Sequence, residues 1–120
     1  MNNLLEKFKS FNATKNDLME HYGNDLVNAK CETCVIVKTG DVITAIQKYQ
    51  DGEITLLMLL DWVNTLWFSD YLFTYDESQR ESIASVMDKL EELDEEGVFY
   101  TDEDYERMIY ALKNNISYTR

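Results

Sequence analysis

Cys31 and Cys34 form a Cys-Glu-Thr-Cys motif, and their types and spacing suggest chemistry more readily than any other residues in this chain. Two cysteines at this spacing can lower a thiol pKa and cycle as a disulfide, or supply half of a zinc site. Zinc would need two more ligands, and the sole histidine, His21, with a carboxylate is the best available pair. We interpret the cysteines as small apolar side chains on one helical turn, with metal binding as an alternative and disulfide formation left open.

The segment 92–103 partly resembles a calcium-binding loop, because it places carboxylates at several of the positions where such a loop carries ligands. Those carboxylates belong to Glu92, Asp94, Glu96 and Glu103, and Gly97 stands where the loop must bend. Glutamate is a poor substitute at positions that require a short side chain. A capped helix-turn-helix explains the same residues, so calcium stays an alternative and we predict no cofactor.

We predict that the chain is not an enzyme. His21 has no nearby nucleophile in the sequence with which it could act as a general base. The chain contains no glycine-rich phosphate loop, no G-x-S-x-G elbow and no H-E-x-x-H motif.

Glycine and proline, the residues that most often interrupt helices, are scarce: the chain has four glycines and no proline. This scarcity indicates a few long helices. Thr14, Thr55, Asp76 and Thr101 each precede a helical apolar pattern and are expected to be N-caps. The patterns predict helical segments at about 3–11, 14–22, 25–38, 41–51, 55–68, 76–95 and 101–116.

Two of these segments carry particular expectations. In 25–38, helix is favoured, although the β-branched run Val35-Ile36-Val37 could instead be extended. The segment 55–68 is apolar nearly all round, with only a thin polar strip, so it belongs in the middle of a bundle with Trp62 and Trp67 buried. The last segment is expected to pack through Tyr105, Met108, Ile109, Leu112 and Ile116.

These patterns predict one all-α domain over 1–120, a bundle of about five or six helices around the central hydrophobic helix. No segment resembles a secretory signal or a membrane span, and two cysteines are too few for a disulfide framework. We therefore expect a cytoplasmic protein.

The chain has 23 acidic and 11 basic residues, which give a net charge of −12. This acidic excess is the strongest functional signal in the sequence. Such a surface repels nucleic acid and anionic membranes and attracts a basic protein. A role in solubility alone is the alternative.

The acidic excess is concentrated in residues 76–120, which carry 13 acidic and 5 basic side chains. Crowded like charges repel one another, and a basic partner would relieve that repulsion. Tyrosines beside charge are common at binding surfaces, whereas a merely solvated face is the alternative. The predicted partner-binding residues are Asp88, Glu91, Glu92, Asp94, Glu95, Glu96, Tyr100, Asp102, Glu103, Asp104 and Tyr105.

The segment 46–68, IQKYQDGEITLLMLLDWVNTLWF, resembles a pattern in small helical immunity proteins of bacterial toxin systems. There, a helix ends in an aromatic residue and a short polar turn with glycine, followed by Ile-Thr or Ile-Ser and a helix that bears a tryptophan. The resemblance implies a toxin-neutralising binder, and many of the toxins concerned are basic nucleases.

The resulting hypothesis is an acidic protein-binding domain, an immunity-type inhibitor that neutralises a basic bacterial toxin such as a nuclease. The first alternative is a small regulatory or adaptor protein that homodimerises or docks through apolar surface around Tyr71, Phe73 and Tyr75. The second is a metal-binding protein that uses Cys31 and Cys34 or the loop 92–103.

Overall fold

A computed structural model describes residues 3–26, 28–29, 34–69 and 71–119, which form a mostly helical fold. Buried side chains from each helix and strand belong to one hydrophobic cluster. The helices in this part of the chain are α1 (Asn3–Lys9), α2 (Lys15–Tyr22), α3 (Thr39–Gln50), α4 (Leu56–Phe68), α5 (Arg80–Glu91) and α6 (Asp102–Lys113). The strands are β1 (Val35–Val37) and β2 (Phe73–Tyr75).

The two strands correct the expectation of a strictly all-α fold and of a helix through 25–38. Val35 pairs with Phe73 in parallel register, so two segments separated by α3 and α4 meet. Val35 and Val37 are buried while Ile36 is 49% exposed, the alternation of a strand with one buried face. β-branched side chains fit such a pleated surface better than a helix, and here a partner strand was available.

α1 and α2 are joined by a tight turn at Phe11, whose φ is 65°. The Phe11 N–H donates to the Phe8 carbonyl and the next N–H donates to the Lys7 carbonyl, which closes α1 with a Schellman motif. The predicted N-cap of α2 is confirmed. The Thr14 hydroxyl accepts from the Asp17 N–H, and the Asp17 carboxylate accepts from the Thr14 N–H.

α4 lies at the centre of the helical packing, as the sequence predicts. It begins at the predicted N-cap Thr55 and packs against α1, α2, α3, α5 and β2. Trp62 is 1% exposed, and Trp67 is half-buried. The ends of α4 are less covered than predicted, because Leu57 is 69% exposed and Phe68 is 44% exposed.

α5 and α6 form a helical hairpin that, with its connection, carries nearly half of the acidic residues of the chain. Asp76 caps a short 3-10 turn (Glu77–Gln79) before α5, and a second 3-10 turn (Glu92–Asp94) follows α5. Thr101 caps α6, as predicted, and forms a capping box with Asp104. Ile116 does not join the packed face of α6, because α6 ends at Lys113 and Ile116 is 48% exposed.

None of the helices in the described ranges is both long and apolar enough to cross a membrane.

Candidate functional site

Carboxylates gather where α5 ends, where the connection turns and where α6 begins. α5 and α6 pack against each other and are joined by the residues 92–101, so the end of α5 and the start of α6 lie at the same end of the hairpin. Of the nine predicted carboxylates, Asp88, Asp94, Glu95, Glu96, Asp102 and Glu103 are exposed, and Glu91, Glu92 and Asp104 are half-buried.

The turn between α3 and α4 adds two carboxylates to this end of the molecule. The Gln50 side chain, at the end of α3, donates to the Glu106 carboxylate at 3.4 Å, and the rings of Tyr49 and Tyr105 are 5.8 Å apart. These contacts place the end of α3 beside the first half of α6, so the exposed residues Asp51 and Glu53 follow α3 on the side of the molecule where α6 begins. We call the combined surface the acidic end: Asp51, Glu53, Asp88, Glu91, Glu92, Asp94, Glu95, Glu96, Asp102, Glu103 and Asp104.

Few cations of the chain itself neutralise the acidic end. Glu92, Glu103 and Glu53 pair with a nearby lysine or arginine at 3.8, 2.8 and 4.0 Å. Such exposed pairs are worth at most about 1 kcal/mol each. Other carboxylates of the acidic end make no ion pair with the described residues. They include Asp51, Asp88, Glu91, Asp94, Glu95, Glu96 and Asp102.

The two tyrosines predicted to contact a partner instead lie beneath the acidic end. Tyr100 is 7% exposed and Tyr105 is 5% exposed, with their ring centroids 6.0 Å apart. The Tyr100 hydroxyl donates to the Lys89 carbonyl at 2.9 Å, and it lies 3.2 Å from the Glu92 carboxylate. The two rings therefore support the hairpin from inside, because both face the core shared with α3.

Phe99 supplies the exposed aromatic ring that the tyrosines do not. It lies in the α5–α6 connection between Glu96 and Asp102, and it is 73% exposed. An exposed aromatic side chain flanked by charged residues is a typical anchor of a protein interface. Sequence reasoning missed Phe99, although an aromatic residue outside any helical pattern and among acidic residues was an available signal.

The chain matches no protein-family model, no curated protein and no solved structure.

The apolar surface expected around Tyr71, Phe73 and Tyr75 does not form as predicted. Phe73 is 1% exposed because it faces the core from β2, and the Tyr75 hydroxyl donates to the Leu66 carbonyl at 2.8 Å. Tyr71 alone of the three is exposed.

The alternative metal sites gain no support from the described geometry. Cys31 lies outside the described residues, and Cys34 is a free thiol whose Sγ donates to the Tyr71 carbonyl at 3.2 Å. Among the described residues, no three histidine, cysteine, aspartate or glutamate side chains cluster as metal ligands would.

Tyr105 makes the packing under the acidic end sensitive to alkaline pH. Burial raises the pKa of Tyr105 above its ordinary value of 10.0, and the nearby Tyr49, Tyr100, Asp102 and Asp104 raise it further. Because the folded-state pKa is raised, the stabilisation is complete below about pH 10, the unfolded-state pKa, and is lost as the pH rises beyond it.

We therefore expect the free energy of unfolding to fall as the pH rises above about pH 10, and to fall less steeply in Tyr105→Phe. Urea denaturation across this range measures the difference. Parallel pH profiles for the two proteins would contradict the assigned role of Tyr105.

Proposed function

We propose that this protein is an acidic protein-binding domain that neutralises a basic partner, as an immunity-type inhibitor does for a bacterial nuclease toxin in the cytoplasm. The observation that carries the proposal is the exposed ring of Phe99 in a segment whose carboxylates mostly make no ion pair within the described residues. A basic surface with an apolar recess would complement both features at once.

Electrostatics favours a basic protein over the other common macromolecular partners. A net charge of −12 repels the phosphates of nucleic acids and of anionic lipids. The same charge speeds the encounter with a positive surface and makes the association sensitive to salt. Binding would also relieve the repulsion among Asp94, Glu95 and Glu96, which are consecutive carboxylates in the α5–α6 connection.

Inhibition follows from the charge of a nuclease itself. A nuclease binds the phosphates of its substrate through lysine and arginine side chains. Carboxylates that form ion pairs with those side chains therefore prevent the nucleic acid from binding. The acidic end presents its carboxylates on a helical hairpin held by the packed Tyr49, Tyr100 and Tyr105. A rigid surface loses little conformational entropy on binding, which favours tight association.

The test uses the product of the neighbouring reading frame as the candidate partner. We expect that product to be basic, to arrest bacterial growth when expressed alone, and to be harmless when this chain is co-expressed. The affinity of the purified complex should fall about tenfold or more as salt rises from about 0.05 M to about 0.5 M. The proposal would be wrong if the affinity did not depend on salt, or if the neighbouring gene product left bacterial growth unaffected.

A further inference from the structure

A groove lies between the α1–α2 turn and the exposed side of α4, with a volume of about 400 Å³. Its wall includes Phe11, Met58 and the buried Trp62, and its polar residues include Lys15 and Asp61. A cleft of this volume is in the range that binds a small ligand or one large side chain.

Phe11 occupies a backbone position that favours glycine. Its φ of 65° is left-handed, a conformation that a bulky residue rarely adopts. The ring stacks on Trp62 with centroids 5.4 Å apart and planes 18° apart, and it also lines the groove. Glycine would fit this backbone position more easily. The turn instead carries a phenylalanine, whose flat ring forms part of the groove wall.

One carboxylate of the groove is available to a cation. The Asp17 carboxylate already accepts the Thr14 backbone N–H at 2.8 Å and caps α2. Asp61 is half-buried, and in the described ranges it belongs to no ion pair. Lys15 is the opposing charge on the groove, so the two aspartates leave it with a net negative charge.

The groove also adjoins the acidic end along the chain. Asp51 and Glu53 precede α4, whose exposed first turn, Leu56 to Met58, leads to the groove. A partner seated on the acidic end would therefore have apolar surface and then a carboxylate-bearing cleft beside it.

We propose that this groove binds an arginine side chain of the basic partner, with the guanidinium lying against Phe11 and donating to the Asp61 carboxylate. The inference rests on the proposed function, which supplies a positively charged partner. Arginine suits the cleft better than lysine, because its planar guanidinium stacks on an aromatic ring while its N–H groups pair with a carboxylate.

The experiment uses the full chain and small probes, so it needs no identified partner. N-acetyl-arginine methylamide is titrated into nitrogen-15-labelled protein at about 0.15 M salt, where diffuse attraction is screened. We expect saturable shifts of the Trp62 indole and of the Phe11 and Asp61 amides, with the Trp67 indole unmoved as an internal reference. The citrulline analogue, which has nearly the same shape without the charge, should bind about fivefold more weakly, and the lysine analogue should also bind more weakly than arginine.

Matched variants assign the binding to the groove. Asp61→Asn should weaken the arginine probe about fivefold, equivalent to about 1 kcal/mol. Lys15→Met should strengthen binding, because it removes the competing cation. Glu81→Gln, which removes one negative charge from an exposed site outside both the groove and the acidic end, should leave the affinity unchanged. Equal binding of arginine and citrulline probes, or equal effects of Asp61→Asn and Glu81→Gln, would overturn the assignment.

The two proposals fail separately. If a basic partner binds in a salt-sensitive manner but the arginine probe does not shift Trp62, the groove assignment alone is wrong. If the probe binds as described but the neighbouring gene product neither binds nor arrests growth, the groove remains a guanidinium site and the proposed function is wrong.

Discussion

Replacing Trp62 with alanine should lower the free energy of unfolding by about 3–5 kcal/mol, which is the usual loss for a buried aromatic side chain. Trp62 is 1% exposed, and its indole N–H donates to the Lys9 carbonyl at 2.9 Å. That carbonyl lies in the last turn of α1, where no further helical N–H can reach it. The substitution would therefore open a cavity and leave a carbonyl of α1 unpaired. Phe11 would also lose its stacking partner while keeping its strained backbone.

Two further variants separate these contributions. Trp62→Phe keeps much of the packing but loses the hydrogen bond, so we expect a smaller loss of about 1–2 kcal/mol. Trp67→Ala removes a half-buried ring that contacts Tyr75 and should cost less than Trp62→Ala. Urea denaturation measures all three. Equal losses for the two alanine variants would show that Trp62 is not the central packing residue described here.

Reversing three charges at the acidic end should weaken the proposed complex by up to about a hundredfold, since each exposed ion pair contributes up to about 1 kcal/mol. The variant changes Asp94, Glu95 and Glu96 to lysine. These side chains are exposed and, within the described residues, make no ion pair. Glu92 is left unchanged, because it pairs with Lys89 and lies beside the Tyr100 hydroxyl, so its loss would disturb the hairpin.

The matched control changes Glu20, Glu77 and Glu81 to lysine. These residues are also exposed, and they lie on α2 and near the start of α5, away from the α5–α6 connection. The net charge changes equally in both variants, so a difference in affinity reports location. Titration calorimetry with the neighbouring gene product measures it. If both variants lose the same affinity, the interaction depends on total charge and the acidic end is not the contact surface.

Local sequence signals predicted the helices well because helix ends are determined by nearby residues. Thr14, Thr55 and Thr101 cap their helices as expected, since a hydroxyl need only reach an N–H two or three residues away. The apolar length of 55–68 likewise predicted the central helix. α3 begins at Thr39, two residues before the predicted start, a difference within the usual uncertainty of helix boundaries.

Other predictions failed where a residue's state depends on a distant segment. Val35–Val37 became a strand because Phe73–Tyr75 lies beside it, a pairing that no local pattern encodes. Tyr100 and Tyr105 were predicted to contact a partner because they stand among acidic residues, although the helical pattern also placed Tyr105 on the packed face of the last helix. α3 covers Tyr105 from a different part of the chain, and the tyrosines bury each other.

The sequence alone determined the sign of the net charge and the concentration of acidic residues in 76–120. Both follow from counting residues along the chain, which no fold can change. The sequence also indicated that residues 88–104 would be crowded with carboxylates, since neighbours along a turn stay neighbours in space. Only the tertiary structure decided that Asp51 and Glu53 join them, that Phe99 is exposed while Tyr100 is buried, and that Phe11 and Asp61 border one groove. Each of those facts requires packing between segments far apart in the chain, and packing depends on the whole core at once.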